Sequence, residues 1–264
     1  MKKTLIALAV AASAAVSGSA MAWTANGTGG SVELGGTLTP EQSASPWEAQ
    51  VGSVSGLDAD IEAGKTDIVI RASSAIPILG IRNVDKNGFS GDSKGVIATI
   101  DYGGAVDLKG FRNSVTTLTL DVKNASGEKI GTLSAPLFAS AILMYKGYAG
   151  QTRGRQMAAA ASGDAFYGGV SLKGAGVADH GKVAYSRLTS LNPDFTANFS
   201  KIDDGWENVD EDEKFVDKNI TYWAAYGSGI EKDKDITITL DKAVKSGDAP
   251  IAWKASLPVT VTYS

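Results

Sequence analysis

The 264-residue chain has no cysteine and a single histidine, His180. The first absence excludes disulfides, thiolate metal sites and cysteine nucleophiles. The second removes most imidazole chemistry. A serine triad needs a histidine, and His180 lies in a glycine-rich stretch with no nucleophile elbow. Asp179 is its neighbour, but adjacent residues on extended chain point apart, so the two are no base and orienter pair. No Gly-x-Gly-x-x-Gly opens a helix and no phosphate loop occurs. There is no excess of basic charge either: the net charge is −4, which argues against a nucleic-acid partner. Beyond the first 22 residues no apolar run approaches the roughly 18 residues of a membrane-spanning helix. The chain is therefore read as no enzyme, with no cofactor and no metal.

What is present begins with a targeting segment. Lys2 and Lys3 precede the apolar "TLIALAVAASAAV", and "AMA" at 20–22 supplies the small residues of a cleavage site. Residues 1–22 are expected to be a cleaved signal peptide, leaving a chain that starts at Trp23. The 31 glycines and scarce helical signals then favour a β fold with many turns. Period-two segments recur: "WEAQVG", "TDIVIRA", "IPILGI" with a bend or edge at Pro77, "GVIATIDY", "SVTTLTLDVKN" and "DITITLDKAV". The parity break between Val115 and Leu118 reads as a bulge, and "NASGEK" as a turn with Gly127 at its tip. "VSLKG", "GKVAYSRLTSL" and a segment around 195–199 read as further strands. Residues 137–170 read as an excursion from the β core holding one or two short helices, with Met157–Ala161 as the helix formers. The acidic run "DDGWENVDEDEKFVDK" at 203–218 lacks the spacing of a calcium loop and reads as solvated. Ten to twelve strands with little helix are most simply packed as two sheets.

The last residues, "LPVTVTYS", alternate Leu257, Val259, Val261 and Tyr263 with polar neighbours. A final apolar strand with nothing after it has three solutions: insertion between existing strands, closure of a membrane barrel, or a strand received from another chain. At the other terminus, Val32, Leu34 and Leu38 lie in one parity of a glycine-rich arm, residues 23–39. Such an arm fits a narrow groove. Exchanged from copy to copy it would make a heterologous contact that does not close, hence a filament.

In order along the chain, "MKKTLIALAVAASAA", "GGSVELGGTLT", "WEAQVG", "IPILG", "VKNASGEKIGTL", "FYGG", "YWAAYGSGI" and "PVTVTY" resemble FaeG-type major fimbrial subunits and adhesins of enterotoxigenic Escherichia coli, of the chaperone–usher pathway. The resemblance implies an incomplete immunoglobulin-like β-sandwich at 40–264, completed by a donated strand. Its donor residues would be Val32, Leu34 and Leu38, and its groove and chaperone-recognition strand would be Leu257, Val259, Val261 and the penultimate Tyr263. It also implies export through the periplasm to a surface fimbrium. The partners would be neighbouring copies, a periplasmic chaperone, an outer-membrane usher and host glycoproteins or glycolipids. Lectin activity toward galactose or N-acetylgalactosamine would reside in an inserted adhesin subdomain at about 137–190, with Tyr145, Lys146, Arg153, Arg155, Phe166 and Tyr167 as glycan-binding candidates. A purely structural subunit and an outer-membrane barrel are the alternatives.

Overall fold

Residues 129–146 alternate in two different ways, and the sandwich is organised around that change. In the computed structural model, which describes residues 45–92, 96–147, 150–199 and 205–264, they form one 18-residue strand. The elements in chain order are β1 (Trp47–Val51), β2 (Asp67–Arg71), β3 (Ile76–Asn83), β4 (Phe89–Ser90), β5 (Ala98–Asp101), β6 (Val115–Asn124), β7 (Lys129–Lys146) and β8 (Thr152–Met157). The helix α1 (Gly181–Leu191) comes next, then β9 (Thr221–Ile230), β10 (Asp235–Leu240), β11 (Trp253–Ala255) and β12 (Thr260–Tyr263). Every pairing between named strands is antiparallel.

Strand β7 belongs to two neighbourhoods. Its first half lies between β6 and β10, with β11 outside β6 and β2 outside β10. There Leu133 and Ala135 are buried while Ser134 is exposed, the pattern of a sheet with one dry face. Its second half lies between β8 and β9, with β3 and β1 beyond. There both parities are buried. Leu137, Ala139, Ala141 and Leu143 enter one core, and Phe138, Ile142 and Met144 enter another. A continuous apolar run is what a strand covered on both faces requires.

The first of these cores holds Trp47, Leu79, Ile81, Ile100, Phe166, Phe215 and Tyr226, roofed by the β5–β12 pair and the loop at 158–170. Its buried hydroxyls are satisfied: Tyr102 Oη is 2.8 Å from Tyr226 Oη and 2.7 Å from Ser228 Oγ. The second face is covered by α1 and a short 3-10 turn at Pro193–Thr196. The helix buries Ala184, Leu188 and Leu191 at helical spacing and is capped by His180, whose Nδ1 accepts from Lys182 N–H at 3.2 Å. It can approach closely because the sheet beneath it is glycine. Gly80 and Gly227 are register partners on β3 and β9, and a Cβ on either would strike the Phe195 ring. The ring stands in for the side chains that this pair lacks, which keeps two glycines tolerable in adjacent strands. Around β2, β10 and the first half of β7, a third cluster gathers Ile70, Leu133, Ile236 and Ile238.

The all-β, immunoglobulin-like sandwich expected from the sequence is the fold observed, with corrections inside it. Segment 137–170 is not a helical excursion: it holds the second half of β7, then β8 and turns, and Met157 closes β8. The α-helix is 181–191, read from sequence as a strand, and 193–196 is a 3-10 turn. Residues 170–174, also read as a strand, are turn and bend. Val115 and Leu118 show no bulge between them. Val115 packs toward α1 and Leu118 toward the opposite core, and the register shift falls at Val122/Lys123. The bend at Pro77 is a register shift between Pro77 and Leu79. The sheet is open, with β1 and β2 at its ends, and is not a closed barrel.

Candidate functional site

Two features stand out as surfaces with work to do, and the first is the C-terminal run. From Trp253 to Thr262 burial alternates without a break, but the inward side chains Leu257, Val259 and Val261 are only half-buried against the main core. β11 pairs with β6 in the larger sheet, and β12 pairs with β5 in a separate two-stranded sheet. The far edge of β5 is already taken, since Phe166 N–H donates to Ala98 O at 2.7 Å and Ile100 N–H to Tyr167 O at 2.8 Å. On its other side β12 has no partner strand among the described residues. Tyr263, the next inward position, is 39% exposed, and the burial it retains pushes its phenol up from the ordinary value. At the β1 edge of the larger sheet Val51 lies on the core side, beside the buried Leu79, yet is 63% exposed. The core is thus incompletely walled at the terminal run and at β1. The donor positions Val32, Leu34 and Leu38, together with residues 1–22, lie outside the described residues.

The second feature is an ionic cluster on β7 and β8. Tyr145 and Arg153 are register partners, and Arg155 lies two residues along the same face. One carboxylate organises them. Glu207 Oε2 accepts from Tyr145 Oη at 2.9 Å and from Arg155 Nε and Nη2 at 3.1 and 2.9 Å, while Oε1 is 3.1 Å from Arg153 Nε. Arg155 Nη1 reaches Asp210 at 2.7 Å, and its guanidinium lies 5.1 Å from the centre of the Tyr145 ring. Burial works against charge on Glu207, but the hydrogen bonds from Tyr145 and Arg155 prevail and hold it below the usual carboxylate range. For Arg155, burial opposes the cation and the bonds to Asp210 and Glu207 outweigh it, raising its basicity. Burial, then the bond to Glu207, pushes Tyr145 up.

Glu207 and Asp210 come from the acidic stretch that the sequence presented as a solvated loop. It runs instead along the outer edge of β8: Gly154 N–H donates to Gly205 O, Glu207 N–H to Gly154 O, and Asp210 N–H to Gln156 O. The segment covers an exposed strand edge, and its carboxylates land on the β8 arginines. Farther along, Glu213 accepts from Lys214 and Phe215 N–H at 2.9 and 2.5 Å. Its desolvated carboxyl is pushed above the ordinary range despite those bonds.

The six glycan-binding candidates do not converge. Tyr145, Arg153 and Arg155 meet at this cluster, and Lys146 is exposed at the end of β7. Phe166 is fully buried, stacked on Tyr226 at 5.8 Å, and Tyr167 packs on the same core beside β5. Neither offers a ring to a surface ligand alongside Tyr145. Residues missed by sequence reading are Glu207 and Asp210. "WENVDEDEKFV" carries no period-two alternation, so the sequence offered no signal for an extended, edge-covering segment. Because β7 and β9 pair directly, residues 147–220 form a single insertion between neighbouring strands, carrying β8, α1 and this segment.

A family model described as "Fimbrial, major and minor subunit" (Fimbrial_K88) matches residues 1–264. The chain is 32% identical to K88 fimbrial protein AB, 30% to K88 fimbrial protein AC and 29% to F41 fimbrial protein, all of Escherichia coli. Each alignment covers 100% of both chains.

Proposed function

Because the chain belongs to the K88 fimbrial family of major and minor subunits, we propose that it polymerises by donor-strand exchange, the arm at 23–39 of one copy completing the sandwich of the next. A fimbrial subunit assembles with other subunits into a fibre on the cell surface, and the open edge supplies a reason for the mode. The observation that carries this reading is the C-terminal run, paired on one side and half-buried at Leu257, Val259 and Val261. Three or four apolar arm residues entering that space would contribute roughly 5–10 kcal/mol as an upper estimate. They would also pair a bare strand edge. Before assembly the same edge would be held by a periplasmic chaperone recognising Val259, Val261 and Tyr263, with an outer-membrane usher mediating the exchange. Residues 1–22 would direct export.

The same fibre would adhere to host glycoproteins or glycolipids through the β7–β8 surface, with galactose or N-acetylgalactosamine as the sugar class. Glu207 Oε1, which holds only Arg153, keeps an acceptor position for a sugar hydroxyl, and Lys146 is an exposed donor at its margin. Arg155 orients this arrangement and does not itself reach outward.

The test of assembly is a fusion of residues 23–39 after Ser264 through a short flexible linker, with the native arm deleted. It should be a soluble, cooperatively melting monomer, whereas the chain with the arm deleted and nothing fused should aggregate. A stable monomer in the second case would overturn the reading. For adhesion, a glycan array probed with whole fibres separates the lectin from a purely structural subunit.

A further inference from the structure

We propose a second ligand site, distinct from the β7–β8 surface: a groove on the outer face of β6, β7 and β10, headed by Arg112, that takes a sugar carrying a carboxylate. The groove has a volume of about 420 Å³ and is lined by Arg112, Thr117, Ser134, Pro136, Asp235 and Thr237, among others. It is a shallow trough, largely open to solvent, that would hold a sugar by one face. Its walls are the polar parity of three paired strands. Thr237 faces Ser134, and Ser134 faces Thr119, while the intervening Leu118, Ala135, Ile236 and Ile238 point to the interior.

Arg112 is singular among the described arginines. Arg71 is near Asp233 and Asp235, Arg82 binds Glu48, Arg153 and Arg155 bind Glu207, and Arg187 holds Glu231 with two hydrogen bonds. Arg112 has no carboxylate or carbonyl partner for its guanidinium among the described residues. It is nevertheless held in place. Arg112 and Val115 exchange both backbone hydrogen bonds at 2.9 Å across Asn113 and Ser114, whose φ angles are 49° and 58°. This is a two-residue turn with both central residues left-handed, a tight and specific hairpin. Its tip is fastened twice: Asn113 O accepts from Arg187 Nη1 at 2.7 Å, and Ser114 Oγ accepts from Ala178 N–H at 2.9 Å.

An exposed guanidinium with no internal partner, carried on a pinned hairpin beside a hydroxyl-lined groove, is suited to a planar carboxylate, which it meets with two parallel hydrogen bonds. Thr117, Ser134 and Thr237 then present donors and acceptors to ring hydroxyls, Pro136 offers an apolar contact to a sugar face, and Asp235 accepts at the far side. A sialic acid and a uronic acid both carry this chemistry.

The test uses assembled fibres and saturation-transfer NMR with the methyl glycosides of N-acetylneuraminic acid and glucuronic acid, each as the free acid and as its methyl ester. At least one acid should bind, and its ester should bind about tenfold or more weakly. Binding of N-acetylneuraminic acid alone identifies a sialylated source, and of glucuronic acid alone a uronic one. Arg112→Gln should abolish the difference between acid and ester, Arg112→Lys should restore part of it, and Thr237→Val should weaken acid and ester together. Lys182→Ala, at an exposed helix position outside both surfaces, should leave this binding unchanged. Equal binding of acid and ester, full binding by Arg112→Gln fibres, or no binding of either acid to wild-type fibres would overturn the proposal.

Discussion

A Cβ placed on Gly227 would lie 2.5 Å from Cδ2 of Phe195, and Phe195 closes equally on Gly227's register partner Gly80. The docking of the 3-10 turn thus depends on two positions that have no side chain. Gly227→Val should destabilise the self-complemented fusion by about 1–3 kcal/mol through overpacking. Phe195→Ala should cost about 3–5 kcal/mol through the void above both glycines. Denaturant melts check the two values. Gly227→Ala combined with Phe195→Leu should cost less than the sum of the single changes, because the smaller side chain yields the space the methyl group needs.

The parity of the C-terminal run gives a sharper comparison. Val261 points inward and Thr262 outward. Val261→Asp places a carboxylate on the apolar, half-buried side of the strand, at a cost of several kcal/mol if it is buried ionised. It should eliminate surface fibres. Thr262→Asp should leave them. Electron microscopy of cells expressing each variant decides it, and equal loss in both would contradict the assigned faces.

Much of this was written in the sequence, and its failures have physical causes. Strands with one wet face, such as β2, β10 and the terminal run, announce themselves because water selects every second residue. The helix hid because Val183 and Tyr185 are good strand formers on its more exposed side, while Ala184, Leu188 and Leu191 carried the quieter helical spacing. The glycines of "YGSGI" are the floor on which that helix rests, a role visible only once the helix is in place. The ionic cluster was half legible. Tyr145, Arg153 and Arg155 were grouped within 137–170, though as part of a helical excursion and not a hairpin, and their carboxylate partners lie more than 50 residues away. Acidic residues are too common for such a pairing to be read without the fold.

The cluster separates a structural arginine from exposed binding donors. Arg155→Ala takes the arginine from Asp210 and leaves Glu207 with only Tyr145 and Arg153, weakening the side-chain hold of the acidic segment on β8, so the melting temperature should fall by roughly 2–4 °C. Lys146→Ala should weaken adhesion of fibres to glycan-bearing cells with no change in melting. Asp212→Ala, at an exposed turn of the same segment, should change neither.

Glu213 predicts an inverted pH response. Its folded carboxyl is raised above the unfolded value, so the folded state binds the proton more tightly. Stability from this group therefore grows as pH falls through the raised value toward the ordinary one, and is lost as pH rises. Glu213→Gln keeps an oxygen for the Lys214 and Phe215 amides and removes the titration. Melts of the fusion between pH 4 and 8 should show the variant gaining on wild type toward the alkaline end. A constant gap between the curves would exclude Glu213 as the source.

The double membership of β7 has a mechanical consequence. β11, which opens the C-terminal run, meets β7 in its first half, through β6, and the ionic cluster meets it in its second half, through β8. In the proposed fibre, a pull directed along β7 between a ligand at the cluster and the next subunit would be carried by one covalent backbone. The flanking ladders are loaded lengthwise, so their hydrogen bonds must yield together and cannot unzip one at a time. A tether attached to a cell in moving fluid would hold its shape up to the force at which a whole ladder slips.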